Sequence, residues 1–106
     1  MWILETTDGD APGLTFRISS GIRTMGRAVR ADFVIEATMV SRLHCRLTAL
    51  PTGELEVEDL DSTNGTYVND QRIQRAVLAN GDRLRVGRIE LTCSQQASLA
   101  PQEGVR

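Results

Sequence analysis

The chain has 106 residues, 41% of them hydrophobic and 25% charged, with a formal net charge of -2. That length suits one domain able to bury a core without metal or disulfide staples, and the slight acidity argues against the broad basic face that nucleic-acid backbones reward. No apolar run is long enough to span a membrane, no signal-peptide pattern opens the chain, and two cysteines with one histidine cannot complete a structural zinc site.

Strand signals recur about every eight to twelve residues, and helix signals are almost absent. The first predicted strand is Trp2 to Thr6. In the second, Leu14, Phe16 and Ile18 alternate with Thr15 and Arg17, the period of a half-buried strand. Ile22 to Met25 is a third, and Phe33 to Ile35 a short apolar fourth. Leu43 to Leu50 is a fifth, with Leu43, Cys45, Leu47 and Ala49 on one face. Pro51-Thr52-Gly53 turns the chain into Leu55 to Glu58. Thr66-Tyr67-Val68 and the region around Ile73 are short strands. Leu84 and Val86 alternate with Arg83 and Arg85, and Ile89, Leu91 and Cys93 close the pattern. Asn64-Gly65 and Asn80-Gly81 are the tightest turn signals. Two antiparallel sheets packed face to face are expected. From Ser94 to Arg106 periodicity is lost, so residues 94–106 read as a polar linker or frayed tail after a single domain at 1–93.

Four polar segments fall where a plain sandwich needs only turns: Gly26-Arg27, Ser41-Arg42-Leu43-His44, Asp61-Ser62-Thr63-Asn64-Gly65-Thr66 and Asn80-Gly81-Asp82. Each alone reads as a turn or a local cap. Together they hold what a phosphate dianion requires: guanidinium charge, hydroxyl donors and open backbone N–H groups. Arg27, Ser41, Arg42 and Thr63 supply these from predicted loops. All 12 basic residues are arginine; codon bias accounts for that more simply than function does.

In order and spacing, the segments Gly26-Arg27, Ser41-Arg42-Leu43-His44, Ser62 to Asn69 and Gly81-Asp82 resemble the signature of the forkhead-associated (FHA) domain, from Trp2 to about Cys93. The resemblance implies an eleven-stranded antiparallel β-sandwich that recognises phosphothreonine in partner proteins. It puts phosphate contacts on Arg27, Ser41, Arg42 and Thr63, with Arg42 standing where some members carry asparagine. It puts a main-chain contact to the peptide on Asn64. Gly26, His44, Gly65 and Asn69 match positions that shape the binding loops. Thr38, Met39 and Val40 match the loop that helps read the residue three places after the phosphothreonine; being uncharged, they imply no demand for acid there.

The implied function is a non-catalytic, phosphothreonine-dependent adaptor without a cofactor. Its partner would be a Ser/Thr kinase substrate or the kinase itself, with no nucleic acid, no membrane and a monomeric state. Cys45 and Cys93 read as buried, reduced thiols, which suits the cytoplasm, or the nucleus in a eukaryote. A phosphate-independent scaffold and a hydrolase are the rivals. For the hydrolase, Ser41 lies three residues before the only histidine, His44, but no nucleophile elbow surrounds it. Asp59, Asp61, Thr63 and Asp70 imitate a calcium loop, but the glycine is displaced to Gly65 and the last ligand is aspartate.

Overall fold

The computed structural model describes residues 1–7 and 13–96. Among them are eleven strands: β1 (Trp2–Thr6), β2 (Thr15–Ile18), β3 (Gly21–Gly26), β4 (Phe33–Val34), β5 (Cys45–Ala49), β6 (Leu55–Asp59), β7 (Thr66–Val68), β8 (Gln71–Ile73), β9 (Arg75–Leu78), β10 (Asp82–Val86) and β11 (Ile89–Gln95). They form a six-stranded sheet, β2-β1-β11-β10-β7-β8, and a five-stranded sheet, β4-β3-β5-β6-β9. The expected all-β sandwich is the fold.

Period two builds the core. Leu4, Ile18, Leu84, Leu91 and Cys93 face inward from one sheet, and Met25, Cys45, Leu47, Leu55, Val57 and Leu78 face inward from the other. Each large apolar side chain so buried contributes roughly 1.5–3 kcal/mol. Phe16 on β2 stacks on Phe33 on β4 with centroids 4.8 Å apart, closing one flank. At the other flank the chain passes from β8 through Gln74 into β9, and so from one sheet to the other. Cys45 and Cys93 are buried free thiols, their pKa values pushed up by burial.

Several expectations need correction. β3 and β4 pair in parallel, Met25 opposite Phe33, so the five-stranded sheet is mixed. β9 has no counterpart in the sequence reading. Leu43 lies outside β5, which begins at Cys45. β11 continues past Cys93, pairing Ser94 with Ile3 and Gln95 with Trp2, so the sandwich extends beyond the expected boundary. The rest of the predicted tail, 97–106, lies outside the described residues. Neither Asn-Gly pair makes a hairpin. Asn80-Gly81 joins β9 to β10 across the two sheets, and Asn64-Gly65 leads into β7. The two-residue hairpin is Asn69-Asp70 between β7 and β8, both residues at positive φ (50° and 70°), as a primed turn requires.

The registers give the sandwich two unlike ends. At one lie the β3–β4, β4–β5, β6–β7 and β10–β11 connections. At the other lie the start of β1, the β5–β6 turn, the β9–β10 turn and the end of β11.

Candidate functional site

Among the described residues four polar side chains are buried: His44, Asp59, Ser62 and Thr66. All four belong to one hydrogen-bonded network beneath the first of these ends. β6 places Leu55, Val57 and Asp59 on the same inward face, which brings a carboxylate to the edge of the core. Such a group must be satisfied. Asp59 accepts from the Ser62 hydroxyl, from the Ser62 amide (3.1 Å) and from the Thr66 hydroxyl (2.7 Å). Burial works against the ionised form, but these donors together with His44 outweigh it and hold the carboxyl below the ordinary aspartate range. Asp59, the first residue of the calcium-like pattern, is therefore turned inward as a structural acceptor.

The network continues toward the surface. Ser62 Oγ accepts from the Gly65 amide (3.0 Å), and the Gly65 carbonyl accepts from His44 Nε2 (2.8 Å). His44 Nδ1 accepts from the Ser41 amide (3.0 Å). An amide can only donate, so this bond fixes the Nε2–H tautomer. Both ring nitrogens are engaged with backbone, and neither faces the Ser41 hydroxyl as a base would. His44 is a post between the β4–β5 and β6–β7 loops.

Above this post the polar groups are only partly used. Ser41 Oγ accepts from the Thr63 amide (3.0 Å), leaving its own proton to donate. The Thr63 hydroxyl has no hydrogen bond among the described residues and is exposed. Arg27 donates from Nε to the Val40 carbonyl (3.0 Å), and its amide bonds the Ser41 carbonyl (2.9 Å). The stem is thereby held while both Nη atoms carry no partner among the described residues. Asn64 Nδ2 donates to the Met39 carbonyl (2.9 Å), tying the two loops together. Arg27, Thr38, Met39, Val40, Ser41, Thr63 and Asn64 line one cleft of about 150 Å³. No carboxylate lines it.

Gly26 sets the depth of this arrangement. A Cβ there would lie 2.0 Å from the Arg42 carbonyl oxygen, so only glycine lets β3 lie this close to the β4–β5 loop. Gly65 has φ +88° and sits under the Arg72 side chain.

Four residues of the predicted set, Arg27, Ser41, Thr63 and Asn64, thus meet at one cleft. Arg42 does not line it; its carbonyl accepts from Ala28, and its exposed side chain makes no ion pair among the described residues. Thr38 and Met39 are exposed beside the cleft. Val40 is not available to read a ligand side chain, because it is 1% exposed and belongs to the core; only its carbonyl takes part. Asn69 does not join the binding loops. Its side chain bonds Asp82 and the Arg83 amide, bracing the β7–β8 turn on β10 at the opposite end of β7. Sequence reasoning missed the Asp59–Ser62–Thr66 network, although the inward phase of Asp59 on β6 is a signal for it.

The sequence model of the FHA domain matches residues 23–87. The chain belongs to the FHA family. A solved FHA domain, described in work on phosphothreonine-dependent FHA domain interactions, superposes with a TM-score of 0.82 at 33% identity, covering 91% of this chain and 97% of that one. The FHA domain of FhaA, solved in complex with the intracellular domain of Rv3910, gives 0.79 at 34% identity over 88% and 99%. The glycogen accumulation regulator GarA of Mycobacterium tuberculosis is 36% identical over 89 residues, 84% of this FHA chain and 54% of GarA. The chain spans about half the length of the curated relatives it matches first. No helix among the described residues of this FHA domain is long and apolar enough to cross a membrane.

Proposed function

We propose that this FHA domain is a non-catalytic adaptor that binds a phosphothreonine-containing segment of a partner protein, with the phosphate in the cleft between the β3–β4, β4–β5 and β6–β7 loops. The observation that carries it is the state of the cleft's donors. Arg27, Ser41 and Thr63 line one small cavity, Arg27 held through Nε and Ser41 through its accepting Oγ, with the outer nitrogens of Arg27, the Ser41 hydroxyl proton and the Thr63 hydroxyl unmatched among the described residues. Anchored donors of this kind meet an anion with little reorganisation, and a guanidinium fork suits the tetrahedral oxygens of a phosphate. Asn64, bridging to Met39, presents the rest of its amide to a passing peptide backbone. Arg42 extends the positive field at the rim.

The partner is a phosphorylated protein, a kinase substrate or the kinase itself; GarA and the oxoglutarate dehydrogenase inhibitors among the relatives are by name a regulator and inhibitors. The non-catalytic reading is supported by His44, whose two ring nitrogens are both engaged with backbone. Two core thiols fit the reducing cytoplasm.

The test is titration of matched phosphothreonine, phosphoserine and unphosphorylated peptides into the wild type and Arg27→Ala. The phosphothreonine peptide should bind. Arg27→Ala should weaken it at least about 100-fold, the loss of two charge-assisted hydrogen bonds, with an unchanged melting midpoint. Equal affinity of the two proteins would overturn the reading.

A further inference from the structure

A second cationic feature lies beside the cleft, on the outer face of the six-stranded sheet. Arg72 on β8, Tyr67 on β7 and Arg85 on β10 stand abreast at directly paired positions. The strand period turns Tyr67 and Arg85 outward because Thr66, Leu84 and Val86 face the core. Arg85 Cζ lies 4.1 Å from the centroid of the Tyr67 ring. Arg72 crosses Gly65: a Cβ placed on that glycine would meet Arg72 Nε at 2.9 Å, Arg72 Cζ at 3.1 Å and Tyr67 Cε1 at 3.2 Å. Arg85 thus rests on the Tyr67 ring, and Arg72, paired with Tyr67 in the register, lies on its other side over Gly65.

Arg46 and Arg75 pair with Glu58, and Arg83 pairs with Asp70. Arg72 and Arg85 have no carboxylate partner among the described residues. Glu90 stands directly opposite Arg85 in the register, yet forms no ion pair with it and accepts instead from the Thr7 hydroxyl. An unpaired arginine is not diagnostic by itself, since Arg17 and Arg23 also have no carboxylate partner among the described residues. Position distinguishes these two. Arg72 lies on Gly65, the neighbour of Asn64. Arg85 Nη1 reaches toward the Gly87 carbonyl (3.5 Å), and a Cβ on Gly87 would lie 2.6 Å from the Met39 carbonyl oxygen. Asn64 and Met39, joined at 2.9 Å, are one wall of the cleft. The two guanidinium groups begin where that wall ends.

A guanidinium resting on an aromatic face keeps its N–H edge directed outward and loses little freedom on meeting an anion. We propose that Arg72 and Arg85, supported by Tyr67, form a second anion subsite. It takes a carboxylate or a second phosphate on the same peptide whose phosphothreonine occupies the cleft. The proposal rests on the phosphothreonine reading above. It also revises the expectation drawn from Thr38, Met39 and Val40: that loop is uncharged, and the reader of acidic residues stands across the cleft wall on β8 and β10.

The experiment walks a single glutamate through each position of an otherwise alanine-flanked phosphothreonine peptide and measures affinity by titration. A second phosphothreonine is then placed at the best position. At one or two adjacent positions glutamate should raise affinity about threefold to tenfold, and the gain should shrink with added salt. Arg72→Gln with Arg85→Gln should erase the difference between acidic and plain peptides while the melting midpoint holds. The salt comparison on wild type tests the same point without any variant. A gain from glutamate assigns carboxylate as the occupant, and a gain from the second phosphate alone assigns phosphate. No positional preference in the wild type would overturn the proposal. So would a preference that survives the double substitution, which would move the reader to Arg30, Arg42 or Arg88. Failure of the plain phosphothreonine peptide to bind, or indifference to Arg27→Ala, would instead sink the cleft reading itself.

Discussion

The sandwich has a hollow at each end, and the two differ in what their polar groups are doing. At the end away from the binding loops, Trp2, Thr52, Gly53, Glu54, Val77, Asn80 and Gln95 border a cavity of about 330 Å³. At the other, the cleft around Arg27 and Ser41 holds about 150 Å³. In the larger hollow the side chains are tied to one another through backbone: Trp2 Nε1 and Gln95 Nε2 both donate to the Gly53 carbonyl (2.9 and 2.8 Å), and Asn80 Oδ1 accepts from the Gln95 amide. In the smaller one, Arg27, Ser41 and Asn64 are each held through one atom and leave another unmatched, and the Thr63 hydroxyl has no hydrogen bond among the described residues. The proposed site is therefore not the roomier hollow but the one whose donors are left unmatched on braced side chains.

That contrast can be broken by substitution. Gly26→Ala should have the largest effect, because the new Cβ meets backbone rather than a flexible side chain. A loss of about 3 kcal/mol in urea unfolding is expected, and phosphopeptide binding should fall with it. His44→Ala leaves the Ser41 amide and the Gly65 carbonyl without partners; a loss of about 2 to 3 kcal/mol is expected, and residual folded protein should bind weakly because both loops lose their post. Asp59 gives a smaller, pH-dependent effect. Its carboxyl is held below the ordinary range in the folded state, so the native state binds fewer protons than the unfolded chain. Its contribution is complete at neutral pH and is lost as pH falls below about 4. The stability gap between wild type and Asp59→Asn should narrow across that interval; a gap independent of pH would contradict the role. Gln95→Ala should have the least effect on function, changing phosphopeptide affinity by less than about twofold, since the two ends share no partners. A larger change would show that the distal hollow takes part in binding.

Much of this fold is legible in the sequence because its strands obey period two. The exceptions have physical causes. Arg75-Ala76-Val77-Leu78 hides β9: Val77 is 50% exposed while Ala76 and Leu78 face in, so the apolar run shows no alternation. Only Gln74 separates it from β8, without a turn residue to mark the crossing. The parallel pairing of β4 depends on where the β3–β4 loop, residues 27–32, returns, which no local pattern encodes. At the site, the residue types needed for phosphate were visible at Arg27, Ser41 and Thr63. Their convergence was not, because it depends on the contacts of His44 and Gly26 between loops distant in sequence. Val40 was misplaced for a related reason: an apolar residue in a loop looks exposed until the core beneath that loop is known.

The first residue and the last described one meet at the distal end, where the Met1 carbonyl accepts from the Gln96 amide (2.8 Å). The chain therefore starts at Met1 and leaves the described residues at Gln96 side by side, on the pole opposite the cleft. Such a module can be tethered, fused or strung between other domains without its ligand having to pass the tether. A surface-coupled or tagged version should be accessible to peptide from either direction of attachment, and a short linker suffices to set its local concentration near a partner.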